Sequence, residues 1–380
     1  MPIRALALFA FFFASSTLSH AKEFRAAWVA SVYNINFPSR SGLSVQAQKA
    51  EIVRICDAAK SVGLNALMVQ VRPESDALYD SRYEPWSRFL TGTQGKDPGY
   101  DPLEYFIREG RQRGIEIHAW INPYRAATSS SGLSSKHPVN GRLKAEARKL
   151  KKMLWLDPTE PAVQDHVVRV VEDIVKRYDV GGIHLDDYFF PYPETYSGSF
   201  PDSRAFKAYV DGGGKLARAD WRRSNVNTMV RRLGEAVHRA RSGAVFGVSP
   251  FGIYTKGQPS DVKAGLDALN QLYCDPVHWL KKGYVDYLAP QLYWDDAGPQ
   301  SFSSLLRWWR SSEVNPKGIP IYPGIAIDRL NSKGRPAKEI ARQLSLQDKV
   351  GPNAGVGFIL WDFDPLLKNS KNVREIVRDN

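Results

Sequence analysis

The chain has 380 residues, and its length exceeds the usual single-domain size but suits an α/β barrel with insertions. Its formal charge of +12 comes with no nucleic-acid-binding motif, so nucleic acid is excluded as the expected partner. Basic residues cluster at 141–152 and 220–241, where we expect solvated helix faces. For an exported protein, the alternative is attraction to anionic polymers such as cell wall. Cys56 and Cys274 are the only cysteines, and we expect buried free thiols rather than a bridge.

The first residues have the pattern of a secretory signal peptide. Arg4 precedes an apolar run at 5–14, and a small-x-small site ends at Ala21. The run is too short to span a membrane as a mature helix. We therefore predict a signal peptide at 1–21 and a single mature domain at 22–380, periplasmic or extracellular. A retained N-terminal anchor is the alternative. No second long apolar stretch follows, so a transmembrane segment is not expected in the mature chain.

From residue 24 onward, short apolar strands alternate with amphipathic helices. The predicted strands are 24–31, 64–71, 115–121, 181–187, 244–249, 285–293, 319–326 and 355–362. The predicted helices are 45–61, 102–113, 161–178, 223–241, 302–312, 336–349 and 371–378. Continuously apolar strands separated by helices indicate a covered parallel sheet, and eight units predict a closed (β/α)₈ TIM barrel. A doubly wound open sheet is the alternative, but no glycine-rich turn follows the first strand.

Four long loops follow the carboxyl ends of predicted strands. They span 72–101, 122–160, 187–222 and 250–275, whereas the reverse connections are short. Barrel enzymes place their sites on this face. The asymmetry therefore predicts a functional site formed by these loops.

The stretch "GGIHLDDYFFPYP" at 181–193 ends the fourth predicted strand with two aspartates. Because side chains alternate along a strand, His184 and Asp186 should face the barrel axis. Asp186 is the leading catalytic candidate, and a structural pair with Arg72 is the alternative. Asp187 begins the loop, so it joins the site only if the chain turns there; otherwise it caps the loop.

Neighbouring strands add further polar groups at the same face. By the same alternation, Trp120 and Asn122 on the third strand point inward. Arg72 ends the second strand, where it would hold a substrate carboxylate or orient Asp186. Asp76 in the following loop is either a supporting carboxylate or a turn residue.

Aromatic, amide and carboxylate groups cluster at the ends of the sixth and eighth strands. "APQLYWDD" supplies Gln291, Tyr293 and Trp294, and "LWDFD" supplies Trp361. Sugar rings pack an apolar face on aromatics, while their hydroxyls need planar donors and acceptors, so a sugar-binding cleft is predicted. Further rings that extend such a surface are Trp28, Trp86, Trp120, Tyr188, Phe189 and Tyr192, although Trp28, like Trp155, is expected to be core.

A metal site is the chemical alternative. His118 and His184 fall on neighbouring strands and Asp186 lies two residues further, which is a plausible ligand set. Both histidines should lie deeper than the strand ends, where substrate arrives poorly. We therefore expect no metal and no cofactor. The sequence also lacks a P-loop, a dinucleotide fingerprint and a G-x-S-x-G elbow.

Taken together, these motifs resemble the glycosyl hydrolase-like family 10. The resemblance runs over nearly the whole mature chain, through "FRAAWVASVYNINFPS", "VQVRPESDALYDSRYEPWSRFLTG", "DPLEYFIREGRQRGIEIHAWINPYR", "GGIHLDDYFFPYP", "VDYLAPQLYW" and "GVGFILWDF". It implies an exported TIM-barrel glycosidase acting on peptidoglycan glycan strands stripped of stem peptides. The motif positions that it supports are Arg72, Asp76, Trp120, Asn122, His184, Asp186, Asp187, Tyr188, Gln291, Tyr293 and Trp361.

We therefore predict a monomeric enzyme that hydrolyses β-1,4 bonds in an amino-sugar polymer with carboxylates. Asp186 would be the nucleophile or electrostatic stabiliser, and Asp187, Asp76 or Asp295 the general acid. The alternatives are a carbohydrate-binding barrel without turnover and a metal-dependent polysaccharide deacetylase. The predicted catalytic residues are Asp186, Asp187 and Asp76, and the predicted substrate-binding residues are Arg72, Trp120, Asn122, Tyr188, Gln291, Tyr293, Trp294 and Trp361.

Overall fold

The computed structural model describes residues 23–380 apart from 333 and 353, so the predicted signal peptide at 1–21 lies outside the described residues. Eight parallel strands in this part form one sheet: β1 (Phe24–Val29), β2 (Ala66–Arg72), β3 (Glu116–Ile121), β7 (Gly182–Leu185), β8 (Val245–Val248), β9 (Tyr287–Leu288), β10 (Gly324–Ala326) and β11 (Gly357–Trp361). Three more strands form a small antiparallel sheet: β4 (Arg125–Ala127), β5 (Ala147–Leu150) and β6 (Met153–Leu156).

The eight parallel strands close into a barrel. Their order is β10-β11-β1-β2-β3-β7-β8-β9. The two ends of this order meet, because Tyr322 N donates to Leu288 O at 2.9 Å and Gly324 N donates to Pro290 O at 2.9 Å. The predicted (β/α)₈ architecture is therefore confirmed.

The helices cover the outside of the barrel and lie close to the predicted ranges. α1 and α3 match the predicted bounds because side-chain caps define their starts: Ser44 accepts from Ala47 N, and Asp101 accepts from Glu104 N. The helices are α1 (Val45–Ser61), α2 (Arg88–Thr91), α3 (Pro102–Arg113), α4 (Pro161–Arg177), α5 (Ser203–Asp211), α6 (Arg218–Ala240), α7 (Ala268–Gln271), α8 (Pro276–Lys282), α9 (Phe302–Arg310), α10 (Arg329–Ser332), α11 (Ala337–Gln347), α12 (Asp364–Lys368) and α13 (Val373–Asp379), with short 3₁₀ turns at Val32–Asn34, Pro138–Asn140, Pro193–Thr195 and Ser370–Asn372. Among the described residues, none of the helices combines the length and the hydropathy of a membrane span.

The sixth and seventh barrel strands are much shorter than predicted. Regular pairing covers only β9 and β10, although the predicted strands were 285–293 and 319–326. Pro290, Pro320 and Pro323 interrupt them, because proline has no N–H to donate to a ladder. Isolated bridges complete the contact between these two strands.

The predicted loop at 122–160 contains regular structure that the sequence did not reveal. β6 lies between β4 and β5 and pairs antiparallel with both. The basic stretch at 141–152 therefore lies partly in β5, so the expectation of a solvated helix face was wrong there. The second basic cluster, at 220–241, does lie on a helix, because α6 covers 220–240.

Alternation along the strands separates two cores. Outward side chains such as Ile183 and Leu185 pack in a core between the sheet and the helices. Inward side chains form a smaller core inside the barrel, around Trp28, Met68, Trp120 and Tyr287. Cys56 and Cys274 are buried free thiols, as predicted.

A glycine allows one inward ring to pack closely. A Cβ added at Gly247 would lie 2.0 Å from the ring of Tyr287. Glycine on β8 therefore lets this ring reach the barrel axis, where it stacks on His184 with ring centroids 5.9 Å apart.

Candidate active site

A pocket of about 210 Å³ opens where the barrel strands end. Its walls come from the carboxyl ends of β1, β3 and β11 and from the segments that follow β7, β8 and β9. The positions of the long loops in the sequence predicted a functional site on this face. The lining residues are Trp28, Trp120, Asp186, Asp187, Tyr188, Tyr192, Ser249, Gln291, Tyr293 and Trp361.

The chain turns immediately after β7, and both aspartates line this pocket. Tyr188 N donates to Asp186 Oδ1 at 3.2 Å, and Phe189 N donates to Asp187 O at 3.0 Å. These bonds fold the segment back within two residues. We expected Asp187 to join the site only if the chain turned at this point, and the turn is present.

Asp186 is buried among donors that favour its ionised form. Asn122 Nδ2 donates to Asp186 Oδ2, and the guanidinium of Arg125 supplies positive charge nearby. Burial raises the pKa of Asp186, while Arg125 and the hydrogen bonds from Asn122 and Tyr188 N oppose that rise. Arg125 also lies over the Tyr188 ring, 5.2 Å from its centroid.

Asp187 is buried beside a like charge. Burial raises the pKa of Asp187 to about 7, and the neighbouring Asp186 carboxylate adds to this rise. The Tyr192 hydroxyl donates to Asp187 Oδ2 and Gln291 Nε2 donates to Asp187 Oδ1 at 3.1 Å, which opposes the rise. The positive charge of Arg125 stabilises ionised Asp186, whereas the donors to Asp187 are the neutral side chains of Tyr192 and Gln291. Asp187 is therefore the carboxyl suited to hold a proton near neutral pH.

A chain of amides fixes the donor that faces Asp186. Ser31 N and Val32 N both donate to Gln70 Oε1 at 2.9 Å. The Gln70 amide must then present Nε2 to Asn122 Oδ1, at 2.6 Å. This contact leaves Asn122 Nδ2 directed at Asp186. Because each amide has one acceptor and one donor end, the orientation of Gln70 determines that of Asn122.

His184 is part of the support below the pocket. Trp28 Nε1 donates to His184 Nε2 at 2.9 Å, and His184 Nδ1 lies 2.9 Å from the Tyr287 hydroxyl. Burial holds its pKa well below the usual range, so the imidazole is neutral.

The hypothetical metal ligands are not assembled. Both ring nitrogens of His184 face other partners, and Asp186 accepts hydrogen bonds from Asn122 and Tyr188 N. Among residues 23–380 without 333 and 353, no group of three or more His, Cys, Asp or Glu side chains is placed to hold a metal ion.

Arg72 lies beneath the pocket rather than in its lining. Its Nε and Nη2 donate to Glu84 at 2.7 and 2.6 Å, and its Nη1 donates to Asn122 O. The alternative that Arg72 pairs with Asp186 is therefore wrong. Arg72 instead supports the backbone of Asn122.

Asp76, Trp294 and Asp295 also lie outside the pocket lining. Asp76 is buried in the loop after β2, where it accepts from Gln94 Nε2 at 3.1 Å. Trp294 packs edge-to-face on Phe251, with ring centroids 5.6 Å apart. Asp295 is half exposed and forms a salt bridge with Arg335. The structure therefore places neither Asp76 nor Asp295 beside Asp186.

The predicted residues that do meet at the pocket are Asp186, Asp187, Trp120, Tyr188, Tyr192, Gln291, Tyr293 and Trp361, with Asn122 directly beneath Asp186. Trp28 is core, as expected, and also lines the pocket floor. The sequence reasoning missed Ser249 and Arg125. Ser249 follows β8, so its position at a strand end was a usable signal. Arg125 lies in the motif "INPYR", but its position depends on β4, which was not predicted.

A closed barrel with paired carboxylates and aromatic rings at its carboxyl face is an arrangement that TIM-barrel glycosidases use. The chain matches the family model Glycosyl hydrolase-like 10 over residues 23–340. It therefore belongs to this family, which confirms the resemblance stated from the sequence.

Two curated relatives support the assignment. Glycosyl hydrolase YngK of Bacillus subtilis (strain 168) is 39% identical over 344 residues, covering 87% of this chain. This chain spans 66% of the length of YngK, slightly less than two thirds. Glycosyl hydrolase DigH of Escherichia coli (strain K12) is 30% identical over 388 residues, covering 93% of this chain and 86% of DigH.

Solved structures show the same fold. The PgaB (BpsB) glycoside hydrolase domain from Bordetella bronchiseptica superimposes with a TM-score of 0.63 at 14% identity, covering 93% of this chain and 99% of that domain. The catalytic domain of β-amylase from Paenibacillus polymyxa superimposes with a TM-score of 0.61 at 13% identity, covering 94% and 99%.

Proposed function

We propose that this protein hydrolyses β-1,4 glycosidic bonds in peptidoglycan glycan strands stripped of stem peptides. The observation that carries the proposal is the pair Asp186 and Asp187, two buried carboxylates in different environments within one aromatic-lined pocket. Pairs of titratable groups whose pKa values are pushed apart are the usual source of acid and base roles.

In the proposed reaction, Asp187 is the general acid. Its raised pKa keeps it protonated near neutral pH, so it donates its proton to the glycosidic oxygen as the bond to the anomeric carbon breaks. Asp186, which accepts a hydrogen bond from Asn122 and lies near the positive charge of Arg125, supplies the negative charge that stabilises the oxocarbenium-like transition state. Water then adds hydroxide to the anomeric carbon, and its other proton restores Asp187.

Three observations support this substrate. Trp120, Tyr188 and Trp361 line the pocket and offer apolar faces for sugar rings. The pocket is small, which suits a sugar unit without a bulky stem peptide. The family resemblance and the net positive charge favour cell-wall glycan, which an exported protein would meet in the periplasm or outside the cell.

The test uses Asp186→Asn and Asp187→Asn with amidase-treated, peptide-free glycan. We expect both variants to fold and to bind glycan, with kcat lowered by roughly 10²–10⁴-fold because charge stabilisation or proton donation is lost. Asp295→Asn is the matched control, since this carboxylate lies outside the pocket lining, and it should retain the wild-type rate. Wild-type turnover by Asp186→Asn would refute the assignment. Wild-type protein that binds sacculi but releases no fragments would indicate a carbohydrate-binding barrel.

A further inference from the structure

The loop after β1 displays two large apolar side chains to solvent. Tyr33 is 62% exposed and Ile35 is 40% exposed, and Tyr33 is the most exposed large apolar side chain in the described part of the chain. The Tyr33 ring has one aromatic neighbour there, Phe89 of α2, with ring centroids 6.3 Å apart. Folding therefore gains little from the position of this ring.

The backbone under the ring is strained. Tyr33 and Asn34 both have φ of 55°, a left-handed conformation that an aromatic residue rarely adopts. Strained backbone conformations of this kind are retained only where many surrounding contacts fix them, and they are concentrated at ligand-binding sites.

Hydrogen bonds hold this loop in place on both sides of Tyr33. Val32 N donates to Gln70 Oε1 at 2.9 Å. Asn34 Nδ2 donates to Pro38 O at 2.8 Å and to Phe89 O at 2.9 Å. The backbone that carries the exposed Tyr33 ring is thus already ordered, so a ligand that binds to the ring would lose little affinity to the entropy of ordering this loop.

The loop lies on the same face of the barrel as the pocket. It follows β1, whose Trp28 lines the pocket floor, and it packs against the loop after β2. The pocket volume of about 210 Å³ is below the roughly 300–1,000 Å³ of sites that enclose a whole ligand. A polymeric substrate must therefore continue over the surrounding loops.

We infer that Tyr33 and Ile35 form a platform that binds sugar units of the same glycan strand outside the pocket. This inference rests on the proposed function, because it needs a substrate longer than the pocket. The occupant is the apolar face of an amino-sugar ring, which packs on the exposed aromatic ring as sugars do on aromatic surfaces.

The test measures binding of peptide-free glycan of two lengths, a disaccharide and a long strand, in an Asp186→Asn background that prevents cleavage. Adding Tyr33→Asn removes the ring but suits the left-handed backbone, since asparagine tolerates this conformation. We expect Kd for the long strand to rise roughly 3–10-fold, Kd for the disaccharide to stay unchanged, and Tm not to fall. Tyr33→Phe should retain the wild-type affinity.

Leu216→Ala is the matched control, because Leu216 is an exposed apolar residue elsewhere, and it should leave both affinities unchanged. An unchanged Kd for the long strand with Tyr33→Asn would overturn the inference, as would an equal rise for both lengths. The binding result does not depend on turnover. Failure of the proposed hydrolysis would be seen separately, as absence of fragments from wild-type protein, even where Tyr33 contributes to binding.

Discussion

Asp186 and Asp187 are adjacent in the chain but have different neighbours. Asp186 accepts from Asn122 and lies near the positive charge of Arg125, whereas Asp187 accepts from Tyr192 and Gln291. A charged neighbour favours ionisation more strongly than neutral donors do. Asp187 is therefore the protonated carboxyl of the pair, and Asp186 is the ionised one.

This assignment sets the pH dependence of the reaction. Because the pKa of Asp187 is raised to about 7, activity should fall as pH rises through about 7 and the acid loses its proton. Tyr192→Phe removes a donor to the ionised carboxylate, so we expect the alkaline limb of kcat/KM to move to higher pH. The measurement is the pH profile of both proteins on peptide-free glycan. A limb that stays in place or moves lower would contradict the role of Asp187.

The raised pKa of Asp187 also affects stability. An unfolded aspartate has a pKa of about 3.9. The folded protein therefore holds more protons between about 4 and 7, and its stability decreases as pH rises across this range. Asp187→Asn removes this dependence, so its Tm relative to wild type should improve from pH 4 to pH 8. Thermal denaturation at both pH values measures Tm of Asp187→Asn minus Tm of wild type. A difference that is constant, or that becomes more negative from pH 4 to pH 8, would argue against a raised pKa.

Individual site residues differed in how well the sequence could predict them. Strand alternation was enough for Asp186, because parity places it inward at a strand end. The convergence of Asp187 depended on a local turn that spacing does not reveal. Arg72 was predicted to meet substrate, but its partner Glu84 lies in a loop whose path was unknown.

At the level of elements, a hydrogen-bonded row lies below the pocket and joins the segment after β1, strand β2, and the residues that follow β3 and β7. It runs from Val32 N through Gln70 and Asn122 to Asp186. All of these groups are buried. Parallel neighbouring strands bring them into line, so the sheet itself orients the donor to Asp186.

Gln70→Glu tests this row with little change of shape. A carboxylate at position 70 still accepts from Val32 N but has no N–H for Asn122 Oδ1, so we expect the Asn122 amide to turn its donor towards position 70. Asp186 would then lose a donor, its pKa would rise, and the acidic limb of kcat would move to higher pH with a rate loss of roughly 10-fold or more.

A double-mutant cycle separates this effect from general destabilisation. In an Asn122→Ala background the effect of Gln70→Glu on the pH profile should vanish, because the connection to Asp186 is already cut. An effect of the same size in both backgrounds would show that Gln70 does not act through Asn122.

The elements themselves were predicted where local chemistry defines their ends. α1 and α3 have side-chain caps, and their predicted bounds agree with the structure. β9 and β10 were overestimated because prolines interrupt an apolar run that still lies in the barrel wall. The β4–β6–β5 sheet was missed because its strands are short and one of them is strongly basic.

For the whole molecule, the repeating strand–helix pattern was enough to predict the closed barrel, because eight covered parallel strands have few alternatives. The position of the site followed from the same pattern, since the long loops all lie at one face. Substrate identity is a finer property, because it depends on side chains that meet only after folding.

The most direct measurement is mass spectrometry of the products released from intact and from amidase-treated peptidoglycan in ¹⁸O-labelled water. We expect soluble glycan fragments from the amidase-treated polymer, each with one ¹⁸O at its new reducing end, and far fewer from intact polymer. Asp187→Asn should release almost none. Release of acetate from strands of unchanged length, or fragments without ¹⁸O, would contradict hydrolysis of a glycosidic bond at Asp186 and Asp187.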